Sequence, residues 1–364
     1  MKHKITALIT MLFSGAILSA QMPGGITMQQ ASGPQGTTLG ANTTSGAAGI
    51  ALGNRVVMRG YVDFIFGYVD EDGSDQTEAF STASDVDFLF DFSPLTAELH
   101  IALDKDDVKL EQAFGRYSVN RDFNFSFGRQ LTALGYEADE APGLFAVTNG
   151  YWLGDRLSSH AKLGSDSSIP PAPITEAIDA LRRNYVDGIR ANFNNGRFGL
   201  TLGLHDGYWK GDDFNGDSIA LDIAASVMII PGLEARLGYA QQQYDNQTGN
   251  SDDISQLNGW LAYSTGNLTL ATEFDSMDIL SDEYWSMMFL ANYQFANWMG
   301  ATIRYSHEDY EAMSVSSEAD RLTFALLFSI TENFGLNVEY STTSVDSTSV
   351  GDYDEFYVEG LITY

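Results

Sequence analysis

The chain has 364 residues, 49 acidic against 19 basic, for a formal net charge of −30 at pH 7, and it contains no cysteine. Such a charge excludes nucleic acid as a partner, because one polyanion repels another. The absence of cysteine excludes a disulfide framework and lipoprotein attachment alike, so an exported form is held by its fold alone.

At the N-terminus Met1-Lys2-His3-Lys4 is basic, residues 5–18 are apolar and Ser19-Ala20 is a small-residue exit. This is the order of a secretory signal peptide, expected over residues 1–20, although Leu18 at the third position before the cut is bulkier than usual. The apolar run falls short of the about twenty residues that cross a bilayer as a helix. Residues 21–54 are rich in Gly, Thr, Gln, Ala and Ser and hold no acid. They bury too little apolar surface to order themselves and are expected to form a flexible periplasmic segment, the alternative being a short plug or strand.

From residue 55 to residue 364, apolar/polar alternating stretches of about ten residues are separated in turn by tight turns and by acidic segments. Ser93-Pro94, Asn120-Arg121, Asn194-Asn195-Gly196, Pro231-Gly232, Thr265-Gly266, Ala296-Asn297 and Glu332-Asn333 mark the turns, most with the Gly, Pro or Asn that a reversal needs. The other connections start near Asp70, Asp104, Thr132, His205, Gln241, Asp275, Ser306 and Ser341, and all but the second are expected to be much longer. A soluble sandwich also alternates, but has no reason to keep its short and long connections on opposite sides. The reading is all-β: a transmembrane antiparallel β-barrel of about sixteen strands, with long acidic extracellular loops and short periplasmic turns. Closure leaves no unpaired edge in lipid, and a barrel of this size holds water.

The lipid face shows in Ile219, Leu221, Ile223, Ala225, Val227 and Ile229, with Asp222 and Ser226 on the other parity. Leu322, Phe324, Leu326, Phe328 and Ile330 repeat it, as do Leu95 to Leu103 with Glu98 and His100 opposite. Tyr263, Phe274, Tyr293, Phe295, Tyr305 and Tyr340 fall near strand ends, where interfacial aromatic girdles belong. The strand around Lys109 to Val119 follows neither parity, so its faces stay unassigned. At the C-terminus Phe356, Val358, Gly360, Ile362 and Tyr364 alternate to the last residue. This resembles the assembly signal of Gram-negative outer-membrane barrels and implies delivery by the barrel assembly machinery, with Tyr in place of the commoner Phe.

The acids cluster outward, in Asp70-Glu71-Asp72, Asp104 to Asp107, Asp212-Asp213, Asp252-Asp253, Asp282-Glu283 and Glu308-Asp309. They are expected to form a negative vestibule that concentrates cations, or to be solvated loops whose divalent ions bridge to lipopolysaccharide. The longest connection, residues 132–184, follows the fifth strand. General bacterial porins fold the long loop at this place into the lumen, and this sequence resembles that arrangement. The resemblance makes Glu137, Asp139, Glu140 and Asp155 candidates for the acidic side of a constriction, with Arg59, Arg190, Arg236 and Arg304 on the opposing wall, where a transverse field filters solutes by charge. Pro170-Pro171-Ala172-Pro173 leads into a short helix expected at residues 174–183, with Thr175 as its cap.

Leu110-Glu111-Gln112-Ala113-Phe114, Phe127-Gly128-Arg129-Gln130 and Leu134-Gly135-Tyr136-Glu137 resemble the OmpL-like β-barrel porins, and His205-Asp206-Gly207-Tyr208-Trp209 with residues 213–215 fits a later loop. The resemblance covers roughly residues 110–217. It implies passive uptake of solutes through an outer-membrane pore.

Other motifs are weaker. Residues 213–217 alternate oxygens as a calcium loop does, but the Gly comes too early and no closing Glu follows; an acidic turn is the reading. His205-Asp206 and His307-Glu308 offer bases without a nearby nucleophilic Ser, so no catalytic residue, metal or cofactor is expected. The expected function is a cation-preferring diffusion porin for small hydrophilic solutes. The alternatives are a surface barrel acting as adhesin or envelope anchor and, less favoured, an outer-membrane hydrolase. A homotrimer fits the porin reading, although the short connection at residues 104–107 leaves little for a latch between subunits.

Overall fold

In a computed structural model the chain is described over residues 50–72, 76–104, 107–138, 140–150, 184–209, 219–245, 251–279, 282–312, 315–346 and 351–364. The expected signal peptide, the helix at residues 174–183, and Asp139 and Asp155 lie outside these residues. The elements are β1 (Ile50–Ala51), β2 (Val56–Glu71), β3 (Thr77–Phe92), β4 (Leu95–Asp104), β5 (Val108–Ser118), β6 (Phe123–Leu131), β7 (Tyr185–Asn194), β8 (Phe198–Asp206) and β9 (Ile219–Ile230). They continue as β10 (Leu233–Asp245), β11 (Ser251–Thr265), β12 (Leu268–Ile279), β13 (Asp282–Ala296), β14 (Met299–Ala312), β15 (Val315–Ser329), β16 (Phe334–Asp346) and β17 (Tyr353–Thr363).

Each strand from β2 on pairs antiparallel with its sequence neighbours, and β17 pairs with β2 from Tyr353↔Glu71 to Thr363↔Tyr61. The result is a closed barrel of sixteen strands, so every ladder group finds a partner where water is absent. At the seam Gly60 and Tyr364 exchange backbone hydrogen bonds of 3.1 and 3.0 Å. Below that point β1 continues the ladder, with Ile50↔Met58 and Ala51↔Val57. The end of the segment expected to be flexible thus covers the edge of β2 that the last strand leaves open.

The tight turns stand where the Gly, Pro and Asn residues put them. Asn195 Oδ1 accepts from the N–H groups of Arg197 and Phe198 at 3.0 and 2.8 Å. Gly232 takes φ +85°, and a Cβ there would meet Ser264 O at 2.2 Å, so the reversal after Pro231 admits only glycine without rearrangement. On the other side the structure departs from expectation. After Asp275 and Ser306 the acidic stretches are mainly strand: β12 runs to Ile279 before β13 opens at Asp282, and β14 to Ala312 before β15 opens at Val315. Cross-strand pairs hold these extensions: Tyr284 and Tyr310 hydroxyls donate to Glu308 and Asp282 at 2.9 and 2.8 Å, and the Trp285 indole to Asp309 at 2.7 Å.

Facing follows the alternation. Ile219, Leu221 and Ile223 are exposed on the outside while Ala220, Asp222 and Ala224 are buried inside. Tyr293, Phe295 and Trp298 are exposed at the turn end, and Tyr305 and Tyr340 further along their strands. An exterior this apolar is unsuited to water and suited to lipid. Placing Arg at Ile223 is therefore expected to cost about 2–4 kcal/mol, read by urea unfolding from lipid vesicles. An unchanged midpoint would put Ile223 outside the hydrocarbon band.

The unassigned strand proves to be bulged. His100 pairs with Gln112 but Ile101 with Leu110, so Glu111 is an extra residue opposite nothing. Val108 and Leu110 face out before the bulge; Gln112, Phe114 and Arg116 face in after it. An inserted residue inverts parity, which is why neither alternation runs through it.

Candidate functional site: the inward loop and the charged wall

After Leu131 the chain turns into the barrel instead of leaving it. Of the described residues 132–150 all are buried except Gly143 and Asn149, which are half-buried. Apolar side chains alternate here with backbone groups that find donors and acceptors on the inner wall. Tyr136 stacks on Phe145 with ring centroids 6.4 Å apart and meets Trp260 of β11 edge-on at 5.4 Å; Met288 and Leu290 of β13 complete this cluster. Ala146 packs on Ala325 and Leu327 of β15, and Val147 on Tyr357 of β17 and Ile65 of β2. The segment therefore crosses from β6 and follows the inner wall from β11 round to β2.

Polar contacts fix its height. The Gly135 N–H donates to Asn258 Oδ1 at 3.2 Å and the Tyr136 N–H to Glu273 Oε1 at 2.7 Å. Glu339 of β16 accepts from the Val147 and Thr148 N–H groups at 2.7 and 2.8 Å and from the Thr148 hydroxyl. Between these points lies an ion pair: Arg304 of β14 reaches Glu137 Oε1 at 2.9 Å, both side chains wholly buried, and donates to Thr148 O at 2.7 Å. The second Glu137 oxygen accepts from the Gly150 N–H at 2.6 Å. Beside it Arg321 of β15 meets Glu355 at 2.9 Å and Glu339 at 3.6 Å.

Charge groups also stand on other parts of the wall. On β7 to β9, Arg190 donates to Leu131 O at 3.1 Å and lies 3.7 Å from Asp222, which His205 also meets at 3.1 Å. On β3 to β5, His100 bridges Asp87 at 2.8 Å and Glu98 at 3.2 Å, and Arg116 reaches Glu98 at 3.3 Å. Among the described residues the buried set holds fourteen carboxylates and four arginines, so the interior is negative.

Glu137 and Arg304, expected on opposing sides of an aqueous gap, are instead in contact: their pair docks the loop and spends its field there. Arg190 and Arg236 are buried on the inner wall and Arg59 half-buried, while Glu140 is buried in the loop. Arg321, Glu339, Glu355, His100 and Thr148 belong to the same surface and are not among the expected constriction residues, although inward parity marks the strand residues among them. The two His-acid motifs are not one site. His205 faces the interior, whereas His307 is on the outer side, 3.0 Å from Asp320 and with its ring 4.7 Å from that of Trp285.

A closed antiparallel sheet, apolar without and charged within, is the architecture of an outer-membrane β-barrel. Solved structures place it among porin folds. OmpT of Vibrio cholerae, an outer-membrane protein, superposes with a TM-score of 0.59 at 11% identity over 87% of this chain and 100% of that one. The outer-membrane channel DcaP of Acinetobacter baumannii gives 0.60 at 11% over 85% and 97%. An anion-selective porin from Comamonas acidovorans gives 0.59 at 14% over 85% and 99%. No family model and no curated protein matches the chain.

Proposed function

We propose that the chain is a diffusion porin for small hydrophilic solutes and ions, with preference for cations. What carries this reading is the combination of a closed sixteen-strand barrel with an interior in which, among the described residues, fourteen buried carboxylates of wall and loop outnumber four buried arginines. Water-excluding walls focus such a field along the passage, raising the local concentration of cations. The fold does not decide the sign, since a barrel of the same architecture is described as anion-selective; the side chains do. The loop of residues 132–150 lies inside the barrel at the level of Arg304 and Glu339, so it narrows the passage. There Arg59, Arg190 and Arg236 oppose Glu140 and the wall acids. We assign no enzymatic role to His205 or His307, which stand on opposite faces of the sheet. A homotrimer accords with this reading, one solved form of Vibrio cholerae OmpT being described as a trimer.

The test is single-channel recording in a planar bilayer, with the reversal potential taken in a potassium chloride gradient. Ohmic steps and a reversal potential on the potassium side are expected. Folded protein that inserts without conducting, or that prefers chloride, would overturn the proposal.

A further inference from the structure

Asp85 is 1% exposed, and neither of its carboxylate oxygens meets a hydrogen-bond donor. A buried carboxylate without a donor is costly, and its surroundings make it costlier. One oxygen each from Asp85, Glu111 and Glu140 lie within 4.8 Å of one another. The three come from separate parts of the chain, on β3, on β5 and in the inward loop.

Three features of the backbone bring them together. Asp85 stands opposite Ala102 on β4, so only a methyl group lies between it and the next strand. Glu111 is the extra residue of the β5 bulge, and it is this insertion that turns its side chain inward beside Gln112. Glu140 occupies the N-cap of the short helical turn Ala141–Gly143, yet its side chain makes no capping bond. Its Oε1 lies instead 3.5 Å from the Tyr185 hydroxyl. Two neighbouring positive groups are directed to other acids: His100 bridges Asp87 and Glu98, and Arg116 meets Glu98; Arg59 of β2 stands opposite Asp87 in the ladder.

We propose that Asp85, Glu111 and Glu140 form a divalent-cation site that ties the inward loop to the β3 to β5 wall. Calcium is the fitting ion. It binds carboxylate oxygens at about 2.3–2.6 Å in flexible geometry, so oxygens this far apart reach one centre, whereas magnesium demands about 2.0–2.1 Å and a near-ideal octahedron. The loop is docked on one side by Arg304 and Glu339; the cation docks it on the other. The proposal does not rest on the porin reading, since a barrel of any function would use such a tie.

The experiment uses the folded full-length protein, freed of metal with EDTA and titrated with calcium chloride by calorimetry, with terbium luminescence excited through tyrosine as a second readout. One saturable equivalent is expected in 0.15 M potassium chloride, lost in Asp85→Asn and in Glu140→Gln and kept in Asp309→Asn, which lies on a strand extension. Calcium should raise the unfolding temperature of the parent chain and leave that of Asp85→Asn unmoved. Asp85→Asn removes repulsion, so it should fold in EDTA at least as well as the parent, which heat-modifiable gel mobility verifies. Equal binding by parent and Asp85→Asn, or no saturable binding by the parent, would overturn the site. Conductance recorded in EDTA tests the porin reading apart from this one: a pore that conducts without calcium binding sinks the site and leaves the porin.

Discussion

Replacing Arg304 by Gln should free the inward loop while leaving the barrel folded. The guanidinium is wholly buried, holds Glu137 at 2.9 Å and caps Thr148 O at 2.7 Å. Without it the buried Glu137 carboxylate loses the guanidinium that faces it, and breaking a buried pair from one side costs about 3–5 kcal/mol. The barrel ladder does not depend on this pair, so the chain escapes the penalty by local opening: residues 132–150 lift off the wall and Glu137 regains water. The expected result is a larger and noisier single-channel current with unchanged heat-modifiable mobility. Glu137→Gln alone should be milder, because Arg304 keeps the one amide oxygen and Thr148 O as acceptors, and only the Gly150 N–H loses its partner. The double variant should recover part of the loss, since it removes both charges, and the non-additivity measures the pair. A current in Arg304→Gln identical to the parent's would show that the loop is held without this contact.

The barrel was legible because its cause is periodic. Lipid outside and water inside impose a period of two on every strand, and Ile219 to Ile229 or Leu322 to Ile330 display it without ambiguity. Where legibility failed, a local event broke the period or imitated another one. Glu111 inserts one residue into β5 and inverts its parity. Acidic stretches after Asp275 and Ser306 read as loops because Asp and Glu are poor strand formers, yet each finds a Tyr or Trp partner across the ladder. Residues 50 and 51 read as part of a polar, glycine-rich segment, and pair only because β17 stops short of the end of β2.

The inner surface was legible one residue at a time but not as an arrangement. Parity places Arg304 and Glu339 inside, and the length of the connection singles out residues 132–184, but the path of a loop across a lumen has no sequence period. Glu137 was consequently assigned to the far side of a gap from Arg304, when Tyr136 and Phe145 carry it onto the same wall. Arg321 and Glu355 are marked as inward by the alternation of β15 and β17 alone, but their contact with each other is not, since the two strands are separated by β16.

The apolar end of the docked loop should fail differently from the charged end. Tyr136 stacks on Phe145 and abuts Trp260, and both Tyr136 and Met288 are almost wholly buried. Tyr136→Ala empties that slot, at a cost of about 3–5 kcal/mol for a buried aromatic truncated to alanine. The N–H to Glu273 bond belongs to the backbone and survives, so the loss is one of packing. Its effect on current noise should therefore persist unchanged between low and high salt, because burial of apolar surface is not an interaction between charges. Potassium preference should hold as well, since no charge has been altered. Tyr136→Phe, which keeps the ring, should resemble the parent. If Tyr136→Ala instead shifted the reversal potential as strongly as a charge substitution, the loop would be setting selectivity through its position rather than the wall through its charge. The excess of carboxylates on the inner wall would then not be the origin of cation preference.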